Sequence, residues 1–121
     1  MSSVTSKDGT SIAFDQSGEG PALILVAPAF ATRTDESSLA AALALDFTVL
    51  AYDRRGRGDS SDTAPYAVER EIEDLDAVID AAGGSAFVFG HSSGAVSAAP
   101  AATRWCCNWC RSCACWRRSP R

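Results

Sequence analysis

The chain contains 121 residues, 46% of them hydrophobic, and carries a formal net charge of −4 at pH 7. This length suits one small domain with a single core. The charge is unevenly divided, because all fifteen Asp and Glu residues lie at or before Asp80, whereas five arginines lie from Arg104 onward. Residues 1–103 therefore carry −9 and residues 104–121 carry +5. The acidic body would repel a phosphate backbone, so we expect no nucleic-acid partner.

The amino-terminal stretch MSSVTSKDGT has no apolar run behind a basic start, which argues against a signal peptide or a membrane anchor. All five cysteines lie beyond residue 103, so the body gives no sign of a disulfide framework or an oxidising compartment. We therefore expect a cytoplasmic protein without a membrane partner, and the sequence leaves the oligomeric state open.

The predicted elements begin with a β-hairpin, because two short β-prone runs at residues 4–6 and 10–14 flank the tight-turn sequence KDG. After the chain-breaking stretch QSGEGP, residues 22–27 (ALILVA) form the continuous apolar run typical of a strand buried on both faces. A helix is predicted next, with Ser37 or Ser38 as its N-cap, and it runs through LAAALAL.

The second part of the body repeats this order. A buried strand is predicted at residues 47–52 (FTVLAY), followed by the polar loop DRRGRGDSSDTAP, a helix, and a third buried strand at residues 86–89. Helical spacing places one apolar face on this helix, formed by Val68, Ile72, Leu75, Ile79 and Ala82. The acidic residues predicted to point elsewhere are Glu71, Asp74, Asp76 and Asp80. Strands that alternate with helices through short loops predict an α/β fold around a parallel sheet.

The sequence FGHSSGA follows the third strand and contains the pattern G-x-S-x-G, formed by Gly90, Ser92 and Gly94. A sharp turn between a buried strand and a small-residue helix holds such a serine in a strained conformation, with its hydroxyl exposed above the sheet edge. A helix that begins behind Ser92 also directs backbone amides and the positive end of its dipole toward an oxyanion. The pattern therefore predicts a nucleophilic serine.

Three features in order, ALILVAPAF, YDRRGRGDS and GHSSGA, make residues 4 to about 100 similar to the amino-terminal half of the α/β-hydrolase superfamily, in its serine-nucleophile branch. The resemblance implies a β-hairpin followed by parallel strands that alternate with helices. It also implies that Ser92 is the nucleophile, that the backbone amides of Ala29 and Ser93 form the oxyanion hole, and that no cofactor or metal is needed. One position departs from the family, since Pro28 stands where a glycine is usual, and proline restricts the residue before it.

The loop YDRRGRGDS carries two interpretations. By resemblance its role is structural, and the matching residues are Asp53, Arg55, Gly56, Gly58 and Ser60. The alternative is that the adjacent Arg54 and Arg55, together with Arg57, bind an anionic substrate.

The rest of a catalytic triad is missing from this chain. A serine hydroxyl needs a base to take its proton, and the base needs a carboxylate to orient it. In the family an Asp or Glu and then a His follow the serine along the chain. Here no acidic residue follows Asp80, and the only histidine, His91, adjoins Ser92, where we expect it to pack rather than to act as the base.

Residues 104–121 (RWCCNWCRSCACWRRSPR) contain all five cysteines and all three tryptophans. Zinc sites favour spaced pairs of thiolates, but here five thiols crowd into ten positions without a histidine, and an odd count does not suit a disulfide framework. Leu, Val and Ala codons of a GC-rich gene yield Trp, Cys and Arg when they are read in a displaced frame. We therefore expect a frameshift between about residues 95 and 104, with a domain at 1–103 and a tail at 104–121 that does not fold as part of it.

By resemblance the chain is a serine-type hydrolase of ester, thioester or C–C bonds, or a related perhydrolase, with a small and mostly apolar carbonyl substrate, and it is inactive as it stands. Serine at the central position of the G-x-S-x-G motif argues against the haloalkane dehalogenase and epoxide hydrolase branches, whose nucleophile is aspartate. Two alternatives stay open: a non-catalytic remnant, and a binding module that uses the cysteine-rich tail to hold a metal or a partner.

Overall fold

A mixed β-sheet organises the chain. The computed structural model describes residues 1–28, 31–91, 105–109 and 113–118, and the side chains of residues 1–28 and 31–90. Within the described residues seven strands form one sheet: β1 (Ser2–Thr5), β2 (Ser11–Ser17), β3 (Ala22–Val26), β4 (Thr48–Tyr52), β5 (Phe87–His91), β6 (Trp105–Trp109) and β7 (Cys113–Arg118). Their spatial order is β1-β2-β4-β3-β5-β7-β6. The hairpin β1–β2 is antiparallel and β2 pairs antiparallel with β4, whereas β4, β3 and β5 are parallel, as the alternation of strands and helices predicts.

Helices cover both faces of the parallel strands. A short 3-10 helix (Arg33–Glu36) leads into α1 (Ser37–Leu43), and α2 (Val68–Ala81) connects β4 to β5. Leu75 and Ile79 of α2 belong to the same buried cluster as Ile24 of β3, whereas Leu23 and Leu25, the neighbours of Ile24, join a second cluster with α1. β3 is thus buried on both faces, which explains its continuous apolar sequence. None of the helices in the described part is long and apolar enough to cross a membrane.

Helix α1 begins differently from the prediction. Ser37 is its first helical residue and Glu36 occupies the N-cap position, because the 3-10 helix runs into α1 without an extended residue between them. The local cap lies earlier, at Thr32, whose backbone amide donates to the Asp35 carboxylate at 2.7 Å. The predicted run through LAAALAL is also shorter, since α1 ends at Leu43.

The carboxyl-terminal part of the chain also differs from the expectation that residues 104–121 do not join the domain. β6 and β7 form an antiparallel hairpin, and β7 pairs antiparallel with β5 from Phe87↔Arg117 to His91↔Cys113. An open strand edge presents unpaired amide and carbonyl groups, and β7 pairs with those of β5. Residues 105–109 and 113–118 therefore extend the sheet beyond β5.

Candidate active site

The carboxyl ends of β4, β3 and β5 lie side by side at one edge of the sheet. Val26 of β3 pairs with Tyr52 of β4 on one side and with Gly90 of β5 on the other. The segments that follow these strands therefore leave from the same edge, about 5 Å apart between neighbouring strands. In open α/β sheets, ligands bind at this edge.

The G-x-S-x-G motif begins at this edge. Gly90 is buried and lies one residue before the end of β5, so the first two residues of the motif belong to the strand, which ends two residues later than the predicted residues 86–89. The side chain of His91, the last residue of β5, is outside the described part. The remaining predicted site residues also lie outside the described residues, and their roles stay predictions: Ala29, Ser92, Ser93 and Gly94.

The loop after β3 leads from Ala27 to Arg33, and it begins next to Gly90, the residue paired with Val26. Ala27 is buried and its carbonyl oxygen accepts a hydrogen bond from Nη1 of Arg54 at 3.5 Å. Within the loop the amide of Ala31 donates to the carbonyl of Pro28 at 3.2 Å. The start of the loop that carries Ala29 is thus tied to Arg54, and a hydrogen bond within the loop joins Pro28 to Ala31.

Asp53 is the buried carboxylate at the end of β4, and its side chain is 0% exposed. One carboxylate oxygen accepts the backbone amide of Arg33 at 2.7 Å, and the other accepts the amide of Asp59 at 2.9 Å and Nη1 of the Arg33 guanidinium. A buried carboxylate needs such partners, because an unpaired one is costly to remove from water. Asp53 therefore holds the start of the 3-10 helix and the loop after β4 together.

Arg33 is the site residue that the sequence reasoning missed. Its side chain is 10% exposed, and each guanidinium nitrogen contacts a different carboxylate: Nε contacts Asp15 at 2.8 Å, Nη1 contacts Asp53, and Nη2 contacts Asp59 at 2.9 Å. Burial lowers the pKa of Arg33, but the three carboxylates outweigh burial and raise it above its ordinary value. No local pattern marks this arginine, because its partners lie on β2, at the end of β4 and in the following loop.

Arg54 links the loop after β3 to α2. Its Nε and Nη2 donate to the two carboxylate oxygens of Glu71 at 2.9 and 3.0 Å, and the hydroxyl of Tyr66 donates to Glu71 at 2.8 Å. Burial raises the pKa of the Glu71 carboxyl, but the Arg54 guanidinium outweighs burial and lowers it below its ordinary value. A two-point pair of this kind fixes the orientation of the guanidinium as well as its position.

Arg55 forms the most buried ion pair among the described residues. Its Nε and Nη2 donate to the carboxylate of Asp74 in α2, each at 2.7 Å, and the side chains of Arg55 and Asp74 are 1% and 2% exposed. Nη1 also donates to Asp8 in the β1–β2 turn at 2.9 Å. The prediction that Asp74 points away from the core is wrong, because the buried guanidinium of Arg55 brings this carboxylate inside.

Gly58 and Ser60 complete the loop. Gly58 has a φ of +50°, and a Cβ at this position would collide with the carboxylate of Asp53. The Ser60 hydroxyl donates to the carbonyl of Asp53 at 2.6 Å and accepts the amide of Ala13 at 2.9 Å. These contacts favour the structural interpretation of YDRRGRGDS. They do not favour the anion-binding alternative, since Arg54 and Arg55 already engage carboxylates.

Neither metal-ligating side chains nor the cavity between β1 and α2 adds residues to this edge of the described sheet. No group of three or more His, Cys, Asp or Glu side chains in this part of the chain is arranged to hold a metal ion. A cavity of about 580 Å³ lies between β1 and α2, where Val4, Thr5 and Ile72 contribute to its lining. None of its lining residues belongs to the loops that follow β3, β4 or β5.

Comparison with known proteins places the chain among hydrolases. Residues 23–116 match the alpha/beta hydrolase family. A solved alpha/beta hydrolase from Sphaerobacter thermophilus DSM 20745 is 63% identical, with a TM-score of 0.82, over 84% of this chain and 39% of that one. The comparison with curated proteins gives no significant match.

More distant structures have the same fold. The enol-lactonase from Burkholderia xenovorans LB400 is 27% identical, with a TM-score of 0.78, over 85% of this chain and 42% of that one. An epoxide hydrolase from an endophytic Streptomyces is 30% identical, with a TM-score of 0.78, over 84% of this chain and 32% of that one. The chain thus spans less than half the length of each of these solved structures.

Proposed function

This chain belongs to the alpha/beta hydrolase family, and on that basis we propose that it carries the nucleophile half of a serine hydrolase, with Ser92 as the attacking residue. The observation that supports this proposal most is the strand register. Gly90 pairs with Val26, so the G-x-S-x-G motif and the loop bearing Ala29 leave neighbouring strands at one edge. A serine and an oxyanion donor must converge on one carbonyl group, and this register places the beginnings of the two segments that carry them side by side.

The proposed reaction is attack on a small, mostly apolar carbonyl substrate, by ester, thioester or C–C bond hydrolysis. The Ser92 hydroxyl oxygen adds to the carbonyl carbon, and the backbone amides of Ser93 and Ala29 stabilise the oxyanion that forms. Serine rather than aspartate in the motif favours acyl chemistry over the epoxide opening named for the Streptomyces relative. A lactone is a cyclic ester, so the similarity to the enol-lactonase from Burkholderia also supports ester hydrolysis. The proposal requires no cofactor or metal.

We propose further that this chain does not turn over substrate unaided. No Asp or Glu follows Asp80, and the single histidine adjoins the nucleophile, where we expect it to pack rather than to act as the base. Without a base the hydroxyl keeps its proton and remains a weak nucleophile.

A turnover assay with p-nitrophenyl acetate tests both parts. Without additives, we expect the wild-type chain and Ser92→Ala to show the same background rate. Added imidazole supplies a base that takes the hydroxyl proton as the acetyl group moves to Oγ and p-nitrophenolate leaves. The wild-type chain and the matched control Ser93→Ala should then exceed Ser92→Ala.

Two outcomes of this assay would contradict the proposal. Equal rates for all three proteins at every imidazole concentration would remove Ser92 as the nucleophile. Turnover without imidazole that disappears in Ser92→Ala would show that this chain contains a base.

The composition of residues 104–121 supports a separate proposal, that this segment is translated out of frame. It holds every cysteine and tryptophan of the chain and a charge of +5 beside a body of −9. The coding DNA tests this directly. An alternative frame beyond codon 95 should encode a leucine-rich helix and, later, an Asp or Glu and a His, and a DNA sequence without these features rules out the frameshift.

A further inference from the structure

Two arginines hold the loop between β3 and the 3-10 helix at its two ends. At the carboxyl end, Arg33 binds the buried Asp53 carboxylate through both its backbone amide and its guanidinium. At the amino end, the Ala27 carbonyl accepts Nη1 of Arg54, whose other nitrogens are held by Glu71. The groups that hold the two ends, the Asp53 carboxylate and the Arg54 guanidinium, both follow β4, so the loop after β3 is held by charged groups from another part of the chain.

The contacts of Arg33 with Asp53 fix the orientation of Arg33 as well as its position. A backbone amide and a side chain of one residue that bind one rigid carboxylate leave that residue little freedom to rotate. Asp15 and Asp59 hold the remaining two guanidinium nitrogens at 2.8 and 2.9 Å. All three guanidinium nitrogens are therefore engaged by protein carboxylates, each on a different residue.

Few residues separate the two anchors. Five positions lie between Ala27 and Arg33, and one of them is Pro28, which has a fixed φ. The Pro28–Ala31 hydrogen bond restricts the loop further. An oxyanion hole is effective when its hydrogen-bond donors are held in place before the reaction begins. The free-energy cost of ordering the loop is then met when the chain folds and does not add to the activation barrier.

We infer that Arg33 is a positioning residue for the loop after β3: through Asp53, Asp15 and Asp59 it holds the carboxyl end of the loop that bears the proposed oxyanion donor, without touching the substrate. This inference rests on the proposed function, because it assigns Arg33 a task in acyl transfer at Ser92.

The test uses Arg33→Lys in the full chain, with Arg70→Lys as the matched control. Lysine keeps the charge, but its single ammonium nitrogen cannot reproduce the rigid spread of the three guanidinium nitrogens that contact Asp15, Asp53 and Asp59. Arg70 forms a partly buried pair with Glu73 within α2, far along the chain from the loop. Hydrogen exchange measured by NMR reports the amides of residues 31 and 33, which donate to Pro28 and Asp53 in the wild-type chain.

In Arg33→Lys we expect both amides to exchange at least about tenfold faster, whereas Arg70→Lys leaves them unchanged, since local opening depends on local contacts. The imidazole-supported acetylation of Ser92 should slow by at least about tenfold, since a misplaced oxyanion donor weakens transition-state binding. Unchanged exchange at both amides in folded Arg33→Lys would overturn the inference. An unchanged rate of Ser92 acetylation in Arg33→Lys, under conditions in which the wild-type chain is acetylated, would also overturn the inference.

The two proposals fail separately. If the wild-type chain is not acetylated even with imidazole, Ser92 is not the nucleophile, and the exchange rates still decide whether Arg33 orders the loop. If Arg33→Lys does not fold, Asp59→Asn replaces it, because that carboxylate is 59% exposed and its loss spares Asp53. We expect faster exchange at residues 31 and 33 in Asp59→Asn, and an unchanged rate there would overturn the inference.

Discussion

The ion pair between Arg55 and Asp74 gives the sharpest test of the claim that YDRRGRGDS is a structural loop. Replacing Arg55 with Met leaves Asp74 as a buried carboxylate without a guanidinium partner. Because both side chains are almost fully buried, solvent screens the pair little, and breaking it should cost about 3–5 kcal/mol of unfolding free energy. A domain of this size is stable by about 5–15 kcal/mol in total, so this loss is a large fraction.

The assay is urea unfolding followed by far-ultraviolet circular dichroism, for the single variants Arg55→Met and Asp74→Leu and for the double variant. Two apolar side chains can replace a buried pair at little cost, so the double variant should be less destabilised than the sum of the single variants by about 2 kcal/mol or more. Unfolding free energies that add without coupling, or a loss below about 1 kcal/mol in Arg55→Met, would refute the reasoning.

Two further predictions concern the same loop. Gly58→Ala should destabilise the chain by about 2 kcal/mol more than the control Gly9→Ala, because both have a positive φ but only the methyl group at residue 58 collides with the Asp53 carboxylate; equal losses in thermal melts would contradict this. The Arg54 pair holds the pKa of Glu71 below its ordinary 4.5, so its stabilising effect is present above that pH and is lost as the pH falls through the lowered pKa. Stability should therefore fall on acidification below about pH 5, and less steeply in Glu71→Gln; identical pH profiles would exclude the pair as a contributor.

The parts of the fold that the sequence predicts are those with a continuous or periodic apolar pattern. β3, β4 and β5 lie in the interior of the sheet, and their core-facing side chains produce the runs ALILV, TVLAY and FVF. Helix α2 buries Leu75 and Ile79 at helical spacing, as predicted. These elements follow from local sequence because burial selects apolar residues at every position that faces the core.

The charge network could not be predicted in this way. Arg33 finds its three carboxylates on separate elements, and long-range ion pairs leave no periodic pattern along the chain. Asp74 lies on the side of α2 that a helical pattern assigns to solvent, and only the position of Arg55 after β4 explains its burial. The pairing of β7 with β5 likewise depends on an available strand edge rather than on the composition of residues 104–121.

The most direct test of the account is the site of covalent attack. A fluorophosphonate transfers its phosphonyl group to a nucleophilic serine and releases fluoride, and tandem mass spectrometry locates the modified residue. We expect the phosphonate on Ser92 in the presence of imidazole, on the same residue in Ser93→Ala, and nowhere on the chain in Ser92→Ala. A phosphonate on any other residue, or equal labelling of Ser92→Ala, would contradict the assignment of Ser92 as the nucleophile.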